Sequence, residues 1–272
     1  MFMRRIALFF LMLLLGACAT TPTGRNQLML VSPDQAVKVS EEAYPKKLEP
    51  YLEKGKINND PRQVSRVKEI TGRLIAQAIR DYPHTAKWKW EVVLIDDPEV
   101  VNAWCMAGGK MAIYTGLLDK VKPTDSELAQ VMAHEIAHAL ANHVAEQISI
   151  SLASQLGLAV LSATALNDSR YRSAALAGAA LAATLAIELP YSRKAEAEAD
   201  RIGIELAAKA GYDPHAAVSL WRKMGQVGKG APPEWLNTHP SSDTRQKLLK
   251  ALAPQMMKYY DPKARHPVYR GL

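Results

Sequence analysis

The stretch His134-Glu135-Ile136-Ala137-His138 decides the reading of this 272-residue chain. On an α-helix, residues i and i+4 share a face, so both imidazoles can reach a single ion. Glu135 stands about 100° around the helix from His134, close enough to take a proton from a water on that ion. The flanking sequence predicts the helix. Thr124-Asp125-Ser126-Glu127, after Pro123, reads as a capping box with acidic residues in the first turn. From Leu128 to Val144 almost every residue is Ala, Leu, Val, Ile or Met, which predicts a helix buried on all sides. Ionisable groups in such a helix are costly unless paired or metal-bound. The alternative is a chance occurrence of the pattern.

A catalytic zinc takes three protein ligands and leaves one position open. His143, nine residues after His134, falls about 180° away on a continued helix and reads as a surface or hydrogen-bonded histidine. The better source lies downstream, in Tyr191-Ser192-Arg193-Lys194-Ala195-Glu196-Ala197-Glu198-Ala199-Asp200. Glu196 and Asp200 are again an i, i+4 pair. One carboxylate can bind the ion while the other fixes the tautomer of a ligand imidazole. On spacing alone the run is a charged helix start. Glu198 points away from that face and is expected in solvent.

The His134–His138 motif, followed at a distance by Ser-Arg-x-x-Glu-x-Glu-Ala-Asp, resembles the zinc metallopeptidase family of BepA, LoiP, HtpX and the CAAX prenyl proteases. The resemblance extends over Asn102 to Lys110, Ile113 to Leu118 and Thr238-His239-Pro240, and is closest in form to small periplasmic, lipid-anchored members. It implies an α+β, mostly helical, gluzincin-type fold with a small β-sheet or hairpin at the edge of the active-site cleft. It implies one Zn²⁺ per chain held by His134, His138 and Glu196, with Asp200 orienting a ligand and Glu135 as the general base. His239 is the candidate donor to the developing oxyanion; in relatives of this form it can instead occupy the open metal position and hold the enzyme latent. A plain surface histidine is the bland reading.

Protein or peptide substrates in extended conformation would add to a cleft strand. Val92 to Ile95 is an apolar β-rich run, and Met111 to Tyr114 alternates after a Gly108-Gly109 turn. A hairpin of these two runs would expose an edge lined by Asn102, Ala103 and Trp104. A small sheet capping the helical core is the structural alternative.

The first residues predict export. Arg4 and Arg5 precede ten apolar residues, too few to span a bilayer but suited to a signal peptide over 1–17. Leu15-Gly16-Ala17-Cys18 resembles a bacterial lipobox, making Cys18 the lipidation site and 18–27 a polar tether. Membrane attachment would be through that lipid, on the periplasmic face of the bacterial outer membrane. Ordinary cleavage leaving a Cys18 thiol is the alternative. Cys105 is then the one remaining thiol, read as a small buried residue without a local base. Residues 28–253 are expected to form the metallopeptidase domain and 254–272 a basic tail. The two small-residue runs in 148–189 read as a helical hairpin near the cleft, since neither is a convincing membrane span.

The net charge of +7 is partly carried by Arg245, Lys247, Lys250 and other cations near the end, read as a solvated face. No nucleic-acid motif is present. The 33 residues after His239 are too few for a tetratricopeptide unit of the kind that scaffold relatives carry. The leading function is therefore a zinc endopeptidase acting on misfolded or misassembled cell-envelope proteins. The alternative is a periplasmic chaperone or assembly factor with a latent zinc site. A structural zinc domain is opposed by Glu135, because a structural site needs four ligands and no base.

Overall fold

The computed structural model describes residues 18–163, 190–227, 234–239 and 243–272. The elements in chain order are strands β1 (Cys18–Thr20) and β2 (Asn26–Leu28), helices α1 (Pro33–Leu52) and α2 (Pro61–Asp81), and strands β3 (Glu91–Ile95), β4 (Ala103–Met106) and β5 (Lys110–Tyr114). Helices α3 (Asp125–Leu140), α4 (His143–Ala163), α5 (Arg193–Lys209), α6 (Ala216–Val227), α7 (Glu234–Thr238) and α8 (Asp243–Met256) follow. The fold is α+β and mostly helical, the gluzincin type.

Helix α3 is the axis of the molecule. Its predicted capping box is present: Thr124 Oγ1 accepts from Glu127 N, and Glu127 Oε2 accepts from Thr124 N at 2.8 Å. Glu127 also accepts from Lys223 Nζ and Ser219 Oγ, both at 2.6 Å, which ties the start of α3 to α6. Every residue of α3 from Glu127 to Leu140 is buried, as its composition predicts. Helix α5 packs closest to it. A Cβ placed on Gly203 would come within 3.0 Å of His134 N, so glycine there lets α5 approach the backbone of α3 beside the first histidine.

The sheet has the order β3-β5-β4. Its hairpin is formed by β4 and β5, paired antiparallel, whereas β3 joins β5 in parallel. The expected hairpin of residues 92–95 with 111–114 is thus corrected: two parallel strands cannot be joined by a tight turn, and the Gly108-Gly109 turn instead follows β4. Both glycines there have positive φ, 79° and 78°. One sheet face, including Val92, Leu94, Ala103, Cys105, Met111 and Ile113, joins the core around α3. The other, including Val93, Ile95, Trp104, Ala112 and Tyr114, packs with Tyr44 and Leu48 of α1. This is the period-two division of a sheet buried on both sides.

Residues 18–27 are not a free tether. β1 and β2 form a hairpin with Cys18 opposite Leu28. Gln27 Nε2 donates to Ala141 O at 2.8 Å, docking the hairpin on the end of the histidine helix. The tail also returns to the domain: Tyr269 N donates to Gly72 O at 2.9 Å and Arg270 pairs with Glu69 at 3.2 Å. Of the segment 148–189, in which a helical hairpin is expected, residues 148–163 lie in α4; residues 164–189 and the signal segment 1–17 lie outside the described residues. Among the described residues no helix is long and apolar enough to cross a membrane.

Candidate metal centre

Two histidines one helical turn apart on α3 meet one carboxylate from the first turn of α5 and one histidine from the end of α7. His134, His138, Glu196 and His239 each offer a ligand atom, and these atoms all lie within 4.8 Å of one another in the buried interior. His134 Nε2 is 3.1 Å from His138 Nε2 and 3.2 Å from His239 Nδ1. Glu196 Oε1 is 3.4 Å from His138 Nε2 and 3.0 Å from His239 Nδ1.

The outer sides of the ligand rings explain why their inner nitrogens converge. His134 Nδ1 lies 3.2 Å from Asp200 Oδ1, and an ionised carboxylate only accepts, so the proton sits on Nδ1 and the Nε2 lone pair faces inward. Asp200 is itself gripped by Arg245, Nε to Oδ2 and Nη2 to Oδ1, each at 2.7 Å. Arg245 Nη1 reaches Glu196 Oε2 at 2.5 Å, and the guanidinium lies 4.5 Å from the ring centroid of Trp221. Arg245 is therefore no part of a solvated basic face: it is buried and paired with both carboxylates. A lone cation among lysines carries no sequence mark of such pairing.

Burial holds His138 well below the usual imidazole value. Burial acts the same way on His134, but Asp200 and Glu196 outweigh it and raise that ring to about 9. Burial opposes ionisation of Glu196, yet the three surrounding histidines keep its carboxyl well below the usual range. Asp200 is lowered as well, with Arg245 and His134 overcoming burial. The inward lone pairs and the anionic oxygen of Glu196 together make a site suited to a cation. The donor set, three imidazoles and a carboxylate with no sulfur, fits zinc.

Glu135 sits beside this group. Its Oε1 accepts from Trp235 Nε1 at 3.0 Å and lies 3.4 Å from His239 Nε2. Trp235 stacks on His239, with ring centroids 5.0 Å apart. Tyr191, not singled out by sequence, stacks on His138 at 4.0 Å and donates its main-chain N–H to Thr238 O at 3.2 Å. The segment 234–239 therefore covers the metal group and the base together.

The three expected cleft residues are distributed unevenly. β4 is an edge strand, and the bond from Tyr114 N to Asn102 O means that the main-chain groups of Ala103 and Cys105 face the open edge. Ala103 N is met by Asn102 Oδ1 at 2.9 Å, and Asn102 Nδ2 donates to Glu234 Oε1 at 3.1 Å. Val101 O accepts from Trp235 N at 3.1 Å. Asn102 and Ala103 thus stand where the covering segment docks, while the Trp104 ring turns to the other sheet face against Tyr44, 5.8 Å between centroids. Cys105 is buried, donates to Met106 O, and has its thiol pushed up by burial.

Glu198, expected in solvent, is buried, because the N-terminal hairpin comes down over it. His143 is the hydrogen-bonded histidine of the two readings, buried against His138. The helical extrapolation fails there because α3 ends at Leu140 and Asn142 takes a left-handed φ of 57°.

Two helix-borne histidines, a glutamate from a following helix and a glutamate beside the first histidine define the metallopeptidase class of this fold. The profile of peptidase family M48 matches residues 61–253, and the chain belongs to this family, whose metal is zinc. It is 41% identical to the mitochondrial metalloendopeptidase OMA1 of Arabidopsis thaliana over 61% of this chain and 32% of that protein. It is 34% identical to the mitochondrial metalloendopeptidase OMA1 of Homo sapiens, over 87% of this chain and 46% of the relative. The beta-barrel assembly-enhancing protease of Escherichia coli (strain K12) is 30% identical over 73% and 40%. The chain spans between about a third and a half of the length of these relatives.

Proposed function

We propose that this chain is a zinc-dependent endopeptidase in which His134, His138 and Glu196 hold the metal and Glu135 is the general base. The observation that carries the reading is the convergence of three buried ligand side chains beside a buried glutamate. Bound zinc supplies Lewis acidity toward a water and the scissile carbonyl. Glu135 accepts the water proton and returns it to the leaving amine. The open edge of β4 offers the main-chain groups of Ala103 and Cys105 to an extended peptide. Asp200 and Arg245 keep the His134 tautomer and Glu196 in register.

We read the described arrangement as a resting one. With the metal bound, His239 would be a fourth ligand, giving a closed site rather than a catalytic one. The same segment engages Glu135 through Trp235 and the start of the edge strand through Glu234 and Trp235 N. On this reading substrate requires His239 to leave the metal position, which makes His239 the latency ligand rather than the oxyanion donor. This closure also favours the second reading, a chaperone or assembly factor whose protease is latent.

The predicted signal peptide and lipobox support a lipid anchor at Cys18, a periplasmic station on the outer membrane, and misfolded or misassembled envelope proteins as substrates. Residues 28–253 would then be the catalytic domain. Two of the relatives named above are mitochondrial, so acylation of Cys18, read by mass spectrometry of the mature chain, separates the two settings.

The test is cleavage of casein by the zinc-loaded chain, by Glu135→Gln at matched zinc content, and by His239→Ala. Cleavage by the wild type, loss in Glu135→Gln and faster cleavage by His239→Ala are expected. Cleavage that survives in Glu135→Gln would overturn the role of the base. Cellular function that survives that change would favour the chaperone.

A further inference from the structure

We infer that His143 is a positioning residue for His138, and that the N-terminal hairpin fixes it through Arg25 and Glu198. The inference rests on reading His138 as a metal ligand. His138 Nδ1 lies 2.9 Å from His143 Nδ1, and His143 Nε2 lies 3.1 Å from Glu198 Oε2. The carboxylate accepts only, so His143 carries its proton on Nε2. Its Nδ1 is then a lone pair and accepts the N–H of His138 Nδ1. That leaves His138 Nε2 as the lone pair aimed at Glu196, His134 and His239. Three groups in series set one tautomer and one ring orientation.

Glu198 is held in turn from a distant part of the chain. Arg25 Nε donates to Glu198 Oε2 at 2.7 Å, and Thr23 Oγ1 bonds Glu198 Oε1. The two Nη atoms of Arg25 grip both oxygens of Glu146 on α4, at 2.7 and 2.5 Å, and Gln27 Nε2 reaches Glu146 Oε2 at 2.9 Å. The hairpin thus pins α4, which carries His143, and α5, which carries Glu198, at one guanidinium. Planar bidentate geometry of this kind is specific to arginine. His143 is 1% exposed and Glu198 5%, so water cannot substitute for either partner.

The experiment measures the zinc dissociation constant of the full chain by chelator competition, together with the visible spectrum of the cobalt-loaded protein and the unfolding temperature of the metal-free form. His143→Leu should weaken zinc by about 10- to 100-fold and shift the cobalt bands, the effect of losing the partner of a ligand imidazole. His143→Gln, which keeps an acceptor for His138, should recover most of the loss. Arg25→Met should weaken zinc by about 10-fold and Arg25→Lys should recover only part of it. Wild-type affinity and an unchanged cobalt spectrum in a folded His143→Leu would overturn the relay; the same result in Arg25→Met would overturn the part given to the hairpin. Should His143→Leu not fold, Glu198→Gln, equal in shape, carries the test: weakened zinc supports the relay and wild-type affinity overturns it. Unaltered zinc binding by His138→Ala would instead remove the ligand reading and the inference with it.

Discussion

The two histidines of α3 are oriented from opposite sides by unlike means. His134 meets its carboxylate directly: Asp200 stands one turn beyond Glu196 on the same face of α5, and Arg245 closes on both. His138 reaches its carboxylate through a second imidazole, and the arginine behind that carboxylate comes from a hairpin well before residues 61–253, the span shared with the family. The His134 side is wholly buried. On the His138 side the Arg25 side chain is 19% exposed. Burial decides what each arginine does. Arg245 neutralises charge that water cannot reach, so it supports both folding and the site. Arg25 contributes less to folding and more to the aim of one ring.

That contrast breaks most sharply at Asp200. Asp200→Ala removes the carboxylate that Arg245 grips with two hydrogen bonds and should cost about 3–5 kcal/mol of unfolding free energy in the metal-free chain, read by denaturant titration. Arg25→Met should cost only about 1 kcal/mol in the same assay while still weakening zinc. Equal losses of stability on the two sides would erase the distinction. A double change of Arg25→Met with His143→Leu sharpens it: zinc-binding losses should fall short of additivity by about 0.5–3 kcal/mol, because both act through Glu198. Strict additivity would mean that the hairpin acts by another route.

Gly203→Ala tests the His134 side by packing. Better helix propensity offers about 1 kcal/mol, but a Cβ 3.0 Å from His134 N forces α5 outward, at about 1–3 kcal/mol. The net expected is a small fall in stability with weaker zinc, whereas a stabilised chain with unchanged zinc would show that α5 has room to spare.

The smallest effect is with pH. Asp200, Glu196 and Glu198 all lie below ordinary carboxylate values in the folded chain, so each contributes stability that is complete above its unfolded value, about 3.9 for Asp and about 4.3 for Glu, and lost as pH falls through its lowered one. Metal-free stability should therefore drop on acidification below about pH 4, and Glu198→Gln should make that drop shallower. An unchanged acid limb in that variant would remove Glu198 from the linkage.

What the sequence showed follows from how local each signal is. The capping box, the two histidines and the Glu196–Asp200 pair are each set within one or two helical turns, and helical geometry makes them readable. The buried course of α3 is equally legible, because a helix without a polar stripe has one place to go. Arg245, Arg25, Tyr191 and the burial of Glu198 were not readable, because each depends on segments tens of residues apart meeting in space. The runs 92–95 and 111–114 do pair, as β3 and β5, but in parallel rather than as a hairpin: alternation marks strands and does not choose their direction. Glu198 shows the limit well. Its spacing correctly removed it from the metal face, and only the hairpin over the opposite face kept it from solvent.

The measurement that tests the account most directly is zinc K-edge absorption of the zinc-loaded full chain beside His138→Ala. The account predicts one zinc per chain in a shell of nitrogen and oxygen, three imidazoles among them, with zinc lost or its shell changed in the variant. Sulfur in the shell, or the same zinc content and shell after His138→Ala, would contradict it.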